Sequence, residues 1–254
     1  MRTHRTHARF ALGVGIAFGV LACSTDSVVS IDDGPEGVSV DITPILSQFG
    51  SEVEVSIDGD VVVLRSNGVP NHVSPYFDQS DSQYAAYDGS NTNFNLNPNT
   101  IAEQNLVFRV PKEVQQATNN AATPLGPIGV AVNGVAIFNQ YAGPNQPLTF
   151  EIDSFDQYNG HPQNTGQYHY HIEPLFITGV VGEDALIGLL LDGFPLYGPF
   201  EGGVRLTSSD LDDLHGHYGV TGDFPGGIYH YHITADDPYI NGSGFYGTAG
   251  TVTG

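Results

Sequence analysis

The chain has 254 residues, 40% of them apolar and 14% charged, with 28 Asp and Glu against 7 Lys and Arg. That length suffices for one large β domain or two small ones with a packed core, and the acidity disfavours nucleic acid as a partner, because such a surface repels phosphate backbones. With 32 Gly, 16 Pro, 13 Tyr and 14 Phe, the composition suits many short strands and turns better than long helices.

At the N-terminus, Arg2, Arg5 and Arg9 precede an apolar run over residues 10–21 that stops at Ala22-Cys23. This pattern predicts a signal peptide of the lipoprotein type over residues 1–22, the run being short for a bilayer span. The only cysteine closes Val20-Leu21-Ala22-Cys23-Ser24. That segment resembles a bacterial lipobox, with Leu21 where a smaller or β-branched residue is usual. Cys23 is therefore the expected lipidation site and the membrane the expected partner; no protein partner can be named. The expected location is the outer membrane or cell surface, the alternative being a periplasmic or secreted protein. Cleavage after residue 22 leaves Arg65, Arg109, Lys112 and Arg205 as the only Lys and Arg. No second cysteine exists for a disulfide, so stability must come from the core or from bound ions. Residues 23–36 are small, polar and acidic, as in a flexible tether, and residues 37–254 are expected to form one domain.

Val53-Glu54-Val55-Ser56-Ile57 alternates at period two, Asp58-Gly59-Asp60 supplies a turn, and Val61-Val62-Val63-Leu64 resumes the apolar run, which predicts a β-hairpin. Further strands are expected over residues 105–110, 128–132, 135–139, 149–152, 167–172, 186–191 and 227–233. Asn133-Gly134 and Asp192-Gly193 mark turns between them. Short helices are expected at residues 112–117 and 208–214, the latter capped by Ser208 or Ser209. The fold class that follows is all-β, a single-domain β-sandwich or barrel-like structure with short helices in loops.

One unit occurs twice. Asn159-Gly160-His161 leads to Tyr168-His169-Tyr170-His171-Ile172, and His215-Gly216-His217 leads to Tyr229-His230-Tyr231-His232-Ile233. In a strand, residues two apart share a face, so His169 pairs with His171 and His230 with His232, the tyrosines facing the other way. Two imidazoles about 6.5–7 Å apart along a strand can reach one ion at about 2.0–2.1 Å from each nitrogen. If His161 and His217 fold back onto their strands, each repeat offers three imidazoles; alternatively both repeats pool their histidines around one centre. Imidazole without thiolate points to copper(II) or zinc. Asp192, Asp153, Asp156, Glu173 and the acidic turn at Asp210, Asp212 and Asp213 are candidate carboxylates to orient the rings. Alternating Tyr and His can also fill a polar-aromatic core in which each ring nitrogen meets a carbonyl.

Ser66-Asn67-Gly68-Val69-Pro70-Asn71-His72, Leu191-Asp192-Gly193-Phe194-Pro195-Leu196-Tyr197-Gly198-Pro199 and the two Tyr-His-Tyr-His blocks together resemble the YHYH-domain family of largely uncharacterised exported proteins, from about residue 66 to 247. The resemblance implies that His72 and Asp192 belong with the paired histidines. It also shows a departure: Leu214-His215-Gly216-His217 and Gly242-Ser243-Gly244 stand where relatives carry cysteines, so a disulfide that would brace them is absent.

The leading reading is an exported metal-binding lipoprotein with His161, His169, His171, His217, His230 and His232 as ligands and His72 as a further candidate. A second makes the cluster the centre of a metal-dependent enzyme with Asp192 as acid or base. A third is a non-catalytic surface module that contacts a partner or carbohydrate. Signatures of familiar hydrolases and nucleotide enzymes are absent from the sequence.

Overall fold

A computed structural model describes residues 37–242 and 244–254. The signal peptide, Cys23 and the tether lie outside the described residues. The expected first hairpin is present as β1 (Val53–Asp58) and β2 (Val61–Ser66), turned by Gly59 at φ +63°. Next along the chain come β3 (Leu106–Pro111), β4 (Pro127–Ala131), β5 (Ala136–Phe138), β6 (Gly160–Pro162) and β7 (Tyr168–Tyr170). The single α-helix among the described residues, α1 (Leu175–Val181), precedes β8 (Leu186–Leu190), β9 (Pro195–Tyr197), β10 (Gly216–Gly219), β11 (Ile228–His232) and β12 (Thr251–Thr253).

These strands form a four-stranded antiparallel sheet, β12-β3-β2-β1, and an eight-stranded mixed sheet, β6-β7-β5-β4-β8-β9-β11-β10. Burial alternates along β3, with Leu106, Phe108 and Val110 inward, as in a strand covered on one face. Every residue of β8 is buried, which explains its unbroken apolar run. Residues from both sheets meet in one core that includes Val62, Leu64 and Phe108 from one and Val130, Ile137, Leu189 and Leu196 from the other. The eight-stranded sheet ends at β6 and β10, which are not paired to each other. The fold is all-β and sandwich-like, and no described sheet closes into a barrel.

The order of the large sheet is a mirror of itself. Strands β4 to β7 and β8 to β11 repeat one arrangement: an antiparallel hairpin, then a second antiparallel pair whose last strand lies parallel to the hairpin's second strand. A constant offset of 59 residues carries Ile128 to Ile187, Asn133 to Asp192 and Asn139 to Gly198. Where the halves meet, Val130 pairs with its own counterpart Leu189, while Gly129 pairs with Leu190 and Ala131 with Gly188. A pseudo-two-fold axis therefore runs through the β4–β8 pair. Gly129 and Gly188 allow that contact, since a Cβ on either would lie against the carbonyl oxygen of the facing strand.

Three local expectations are corrected. Residues 149–152 are not a strand but parts of two 3-10 turns, Leu148–Phe150 and Ile152–Ser154, because Ser154 Oγ donates to Glu151 O and local i to i+3 bonds take the backbone. Residues 112–117 are not helical; Glu113–Val114 pairs with Val40–Asp41, and Lys112 N–H and C=O bond to Asp60 and Ile42. Of residues 208–214 only Ser208–Asp210 turns, capped by Thr207 in a reciprocal capping box with Asp210. Helix α1 escaped notice because Ile177, Thr178, Val180 and Val181 favour strands.

Candidate metal centres

Each Gly-His segment is built by one device. Asp156 Oδ1 accepts Tyr158 N–H at 2.9 Å and Gly160 N–H at 3.3 Å, and Asp212 Oδ1 accepts Leu214 N–H at 2.9 Å and Gly216 N–H at 3.0 Å. Asn159 at φ 65° and His215 at φ 73° hold the same left-handed position in the two turns. Glycine follows because the ring of Tyr168, or of Tyr229, lies where a Cβ would stand on Gly160 or Gly216. Those tyrosines then hold the aspartates in turn, Tyr168 Oη donating to Asp156 at 2.8 Å and Tyr229 Oη to Asp212 at 2.9 Å.

The turn returns the chain as β6 or β10, which sets His161 opposite His169 and His217 opposite His230 in register. With the next same-face histidine, three imidazoles converge in each half. His169 Nε2 lies 3.1 Å from His161 Nε2 and 3.0 Å from His171 Nε2, and His217 Nε2 lies 3.1 Å from His230 Nε2. Two nitrogens at about 2.0–2.1 Å from one ion would be about 3.3 Å apart in tetrahedral and about 2.9 Å apart in right-angled geometry. The observed spacing falls between these.

The second ring nitrogens decide what these contacts are. His169 Nδ1 faces Gln167 O, His171 Nδ1 faces Asn139 O, His230 Nδ1 faces Ile228 O, and His232 Nδ1 faces Gly198 O. A carbonyl only accepts, so each of these Nδ1 atoms carries the proton. Ser154 Oγ already donates to Glu151 O, so His161 Nδ1–H donates to Ser154 Oγ at 2.7 Å. In the first group the Nε2 atoms of neutral rings therefore present lone pairs to one another, and its two short contacts are not hydrogen bonds; in the second, His230 and His232 likewise turn Nε2 lone pairs inward. Burial keeps four of the rings neutral, pushing His161 and His232 down to about 3 and His171 to about 4, and His169 well below its usual value. His232 Nε2 is buried without a hydrogen-bond partner among the described residues. Buried lone pairs without donors cost about 1–3 kcal/mol each, and a cation at their focus satisfies all of them.

Two groups of ligand atoms within 4.8 Å of one another result: His161, His169 and His171, and Glu201, His217, His230 and His232. They lie on β6–β7 and β10–β11 at opposite ends of the eight-stranded sheet, so the repeats do not pool their histidines. Glu201 Oε2 is 3.2 Å from His217 Nε2 and Glu201 Oε1 is 3.5 Å from His230 Nε2, so the carboxylate stands against the converging nitrogens. Glu151 stands 3.6 Å from His161 and 3.8 Å from His171, its carboxyl raised by burial. Neither glutamate was foreseen. Of the carboxylates that were, Asp156 and Asp192 hold tyrosines instead.

The other candidates fall elsewhere. Asp192 is the counterpart of Asn133, and both sit on the tyrosine face: Tyr231 Oη donates to Asp192 at 2.7 Å, and Asn133 Nδ2 donates to Tyr170 Oη at 3.2 Å. Asp192 also accepts Gly247 N–H and Phe194 N–H, and burial raises it to about 6. His72 packs on the same face of the first half, 3.0 Å from Tyr170 Oη and against the rings of Tyr158 and Phe176. Neither joins a histidine group, so an acid or base role for Asp192 at the histidines has no geometric support. His215 bonds Thr234 Oγ1 at 3.0 Å, as Asn159 bonds Glu173 O in the other half.

The YHYH protein family matches residues 107–205 and 201–244, more than half of the chain. The chain belongs to the YHYH family. Both Tyr-His-Tyr-His strands and all six converging histidines of this YHYH protein lie within the matched residues, whereas His72 precedes them. No curated protein and no solved structure matches the chain.

Proposed function

We propose that this YHYH protein is an exported, lipid-anchored metal-binding protein carrying two histidine-based transition-metal centres that take copper(II) or zinc. The observation that supports it most directly is the convergence of Nε2 atoms whose rings commit Nδ1–H to backbone or hydroxyl acceptors, the arrangement by which ligating histidines are oriented elsewhere. Export and the anchor rest on Arg2, Arg5 and Arg9, the apolar run and Cys23; among the described residues no helix is long and apolar enough to cross a membrane. Copper(II) loading followed by electron paramagnetic resonance tests the centres. Nitrogen superhyperfine structure that diminishes in His169→Ala and again in the His169→Ala/His230→Ala variant is expected, and a spectrum indifferent to both substitutions would refute the assignment. Mass spectrometry of the mature N-terminus should find a diacylglyceryl group on Cys23; an unmodified thiol there would remove the anchor.

A further inference from the structure

The two histidine groups differ in what stands over them. Glu201 belongs to the second converging set, so four protein ligands can close that coordination sphere. Over the first, the Glu151 carboxylate stands 3.6 Å and 3.8 Å from His161 and His171 and stays outside the converging set. A cleft of about 400 Å³ reaches Glu201, His230 and His232, and a larger one of about 570 Å³, within the size range of small-ligand sites, has His161, His169 and His171 in its wall.

The lining has a definite chemistry. Asn97 and Asn99 each donate Nδ2–H to Pro162 O at 3.1 Å, which fixes them in place, and the exposed amide of Asn164 lies beside them. Phe150, 73% exposed, and Tyr141, 42% exposed, also line the cleft. With Leu96 and Leu125, also exposed, they gather apolar surface on one cleft, and exposed apolar surface gathered in a groove marks ligand sites. On the other side of residues 96–99 lies a second hollow of about 480 Å³, lined in part by the stacked rings of Tyr87 and Phe94. None of Arg65, Arg109, Lys112 and Arg205 lines either hollow, and Glu151 and Asp78 put negative charge there instead. Anionic ligands are therefore disfavoured. Amides that both donate and accept match hydroxyl groups, which do the same, and exposed ring faces suit the apolar C–H face of a pyranose.

We propose that this cleft binds neutral oligosaccharides, with the bound sugar lying over the first histidine group, on the side from which Glu201 approaches the second. The saccharide site rests on the cleft alone; its closeness to a metal rests on the reading of the centres given above. Isothermal titration of the mature protein with cellohexaose, xylohexaose, mannohexaose, laminarihexaose and chitohexaose, with oligogalacturonate as the anionic control, tests it. Binding of at least one neutral hexasaccharide and not of oligogalacturonate is expected, weakened tenfold or more in the Tyr141→Ala/Phe150→Ala variant, whose changed side chains are exposed and leave the core intact. No binding by any neutral member, or binding undiminished in that variant, overturns the proposal. Metal content measured on the same samples separates the two readings. Saccharide bound by a protein that takes up no metal sustains the cleft and refutes the centres, and metal bound without saccharide does the reverse.

Discussion

Five of the six converging imidazoles have an acceptor at Nδ1, and that single contact determines which nitrogen carries the inward lone pair. Ser154 is the only side chain among those acceptors, which makes it a selective probe. Ser154→Ala should weaken the first centre by about 10–100-fold and leave the second unchanged, as read by competition with a chromophoric chelator; equal loss at both would mean that Ser154 acts through the fold. His215 stands beside the motif in the sequence, but its backbone and bonds show it filling the place of Asn159. His215→Asn should therefore keep full metal content. It should also change acid stability in a definite direction. Burial lowers His215 to about 4, below the unfolded value of about 6.5. Its contribution is intact above pH 6.5 and is lost as pH falls from there towards 4, because the unfolded chain takes up a proton that the folded chain refuses. Urea midpoints of the metal-free protein should fall less steeply over that window in His215→Asn than in the parent; parallel curves would contradict the assignment.

The strands themselves were legible from period-two alternation and from turns such as Asp58-Gly59 and Asn133-Gly134, because those signals are local. Their pairing was not. The Tyr-His-Tyr-His repeat was visible, yet the longer duplication from Ile128 to Gly198 was hidden by changed side chains, Asn133 against Asp192 and Ala136 against Pro195, at equivalent backbone positions. Glu151 and Glu201 left no signal, since they precede the histidines they face by unequal separations, Glu151 between two 3-10 turns and Glu201 in a short strand. The same logic misplaced His72 and Asp192: nearness to the motif in a family pattern did not say which face of the sheet they would reach. At this scale the β4–β8 seam is the most exacting contact. Gly188→Ala would drive a Cβ into the Val130 carbonyl and should cost about 2 kcal/mol or more, whereas Gly179→Ala in α1, with open space around its Cβ, should stabilise by about 0.5–1 kcal/mol. Chemical denaturation of the two variants distinguishes a tight seam from a tolerant one.

For the whole molecule, the pseudo-two-fold sheet places two similar donor groups at opposite ends of one sheet, so metals bound to them would act on stability as independent ligands. Each site held at 1,000 times its dissociation constant adds about 4 kcal/mol, and chelation should lower the melting temperature in two increments that survive separately in single-centre variants. The most direct measurement of the central claim is the metal content of the mature protein, exported, untagged and loaded with copper or zinc, beside His169→Ala and His230→Ala variants that remain folded. Two equivalents in the parent and one in each variant are expected. No metal in the loaded parent, or loss of both equivalents on either single substitution, would contradict the existence of two separate centres.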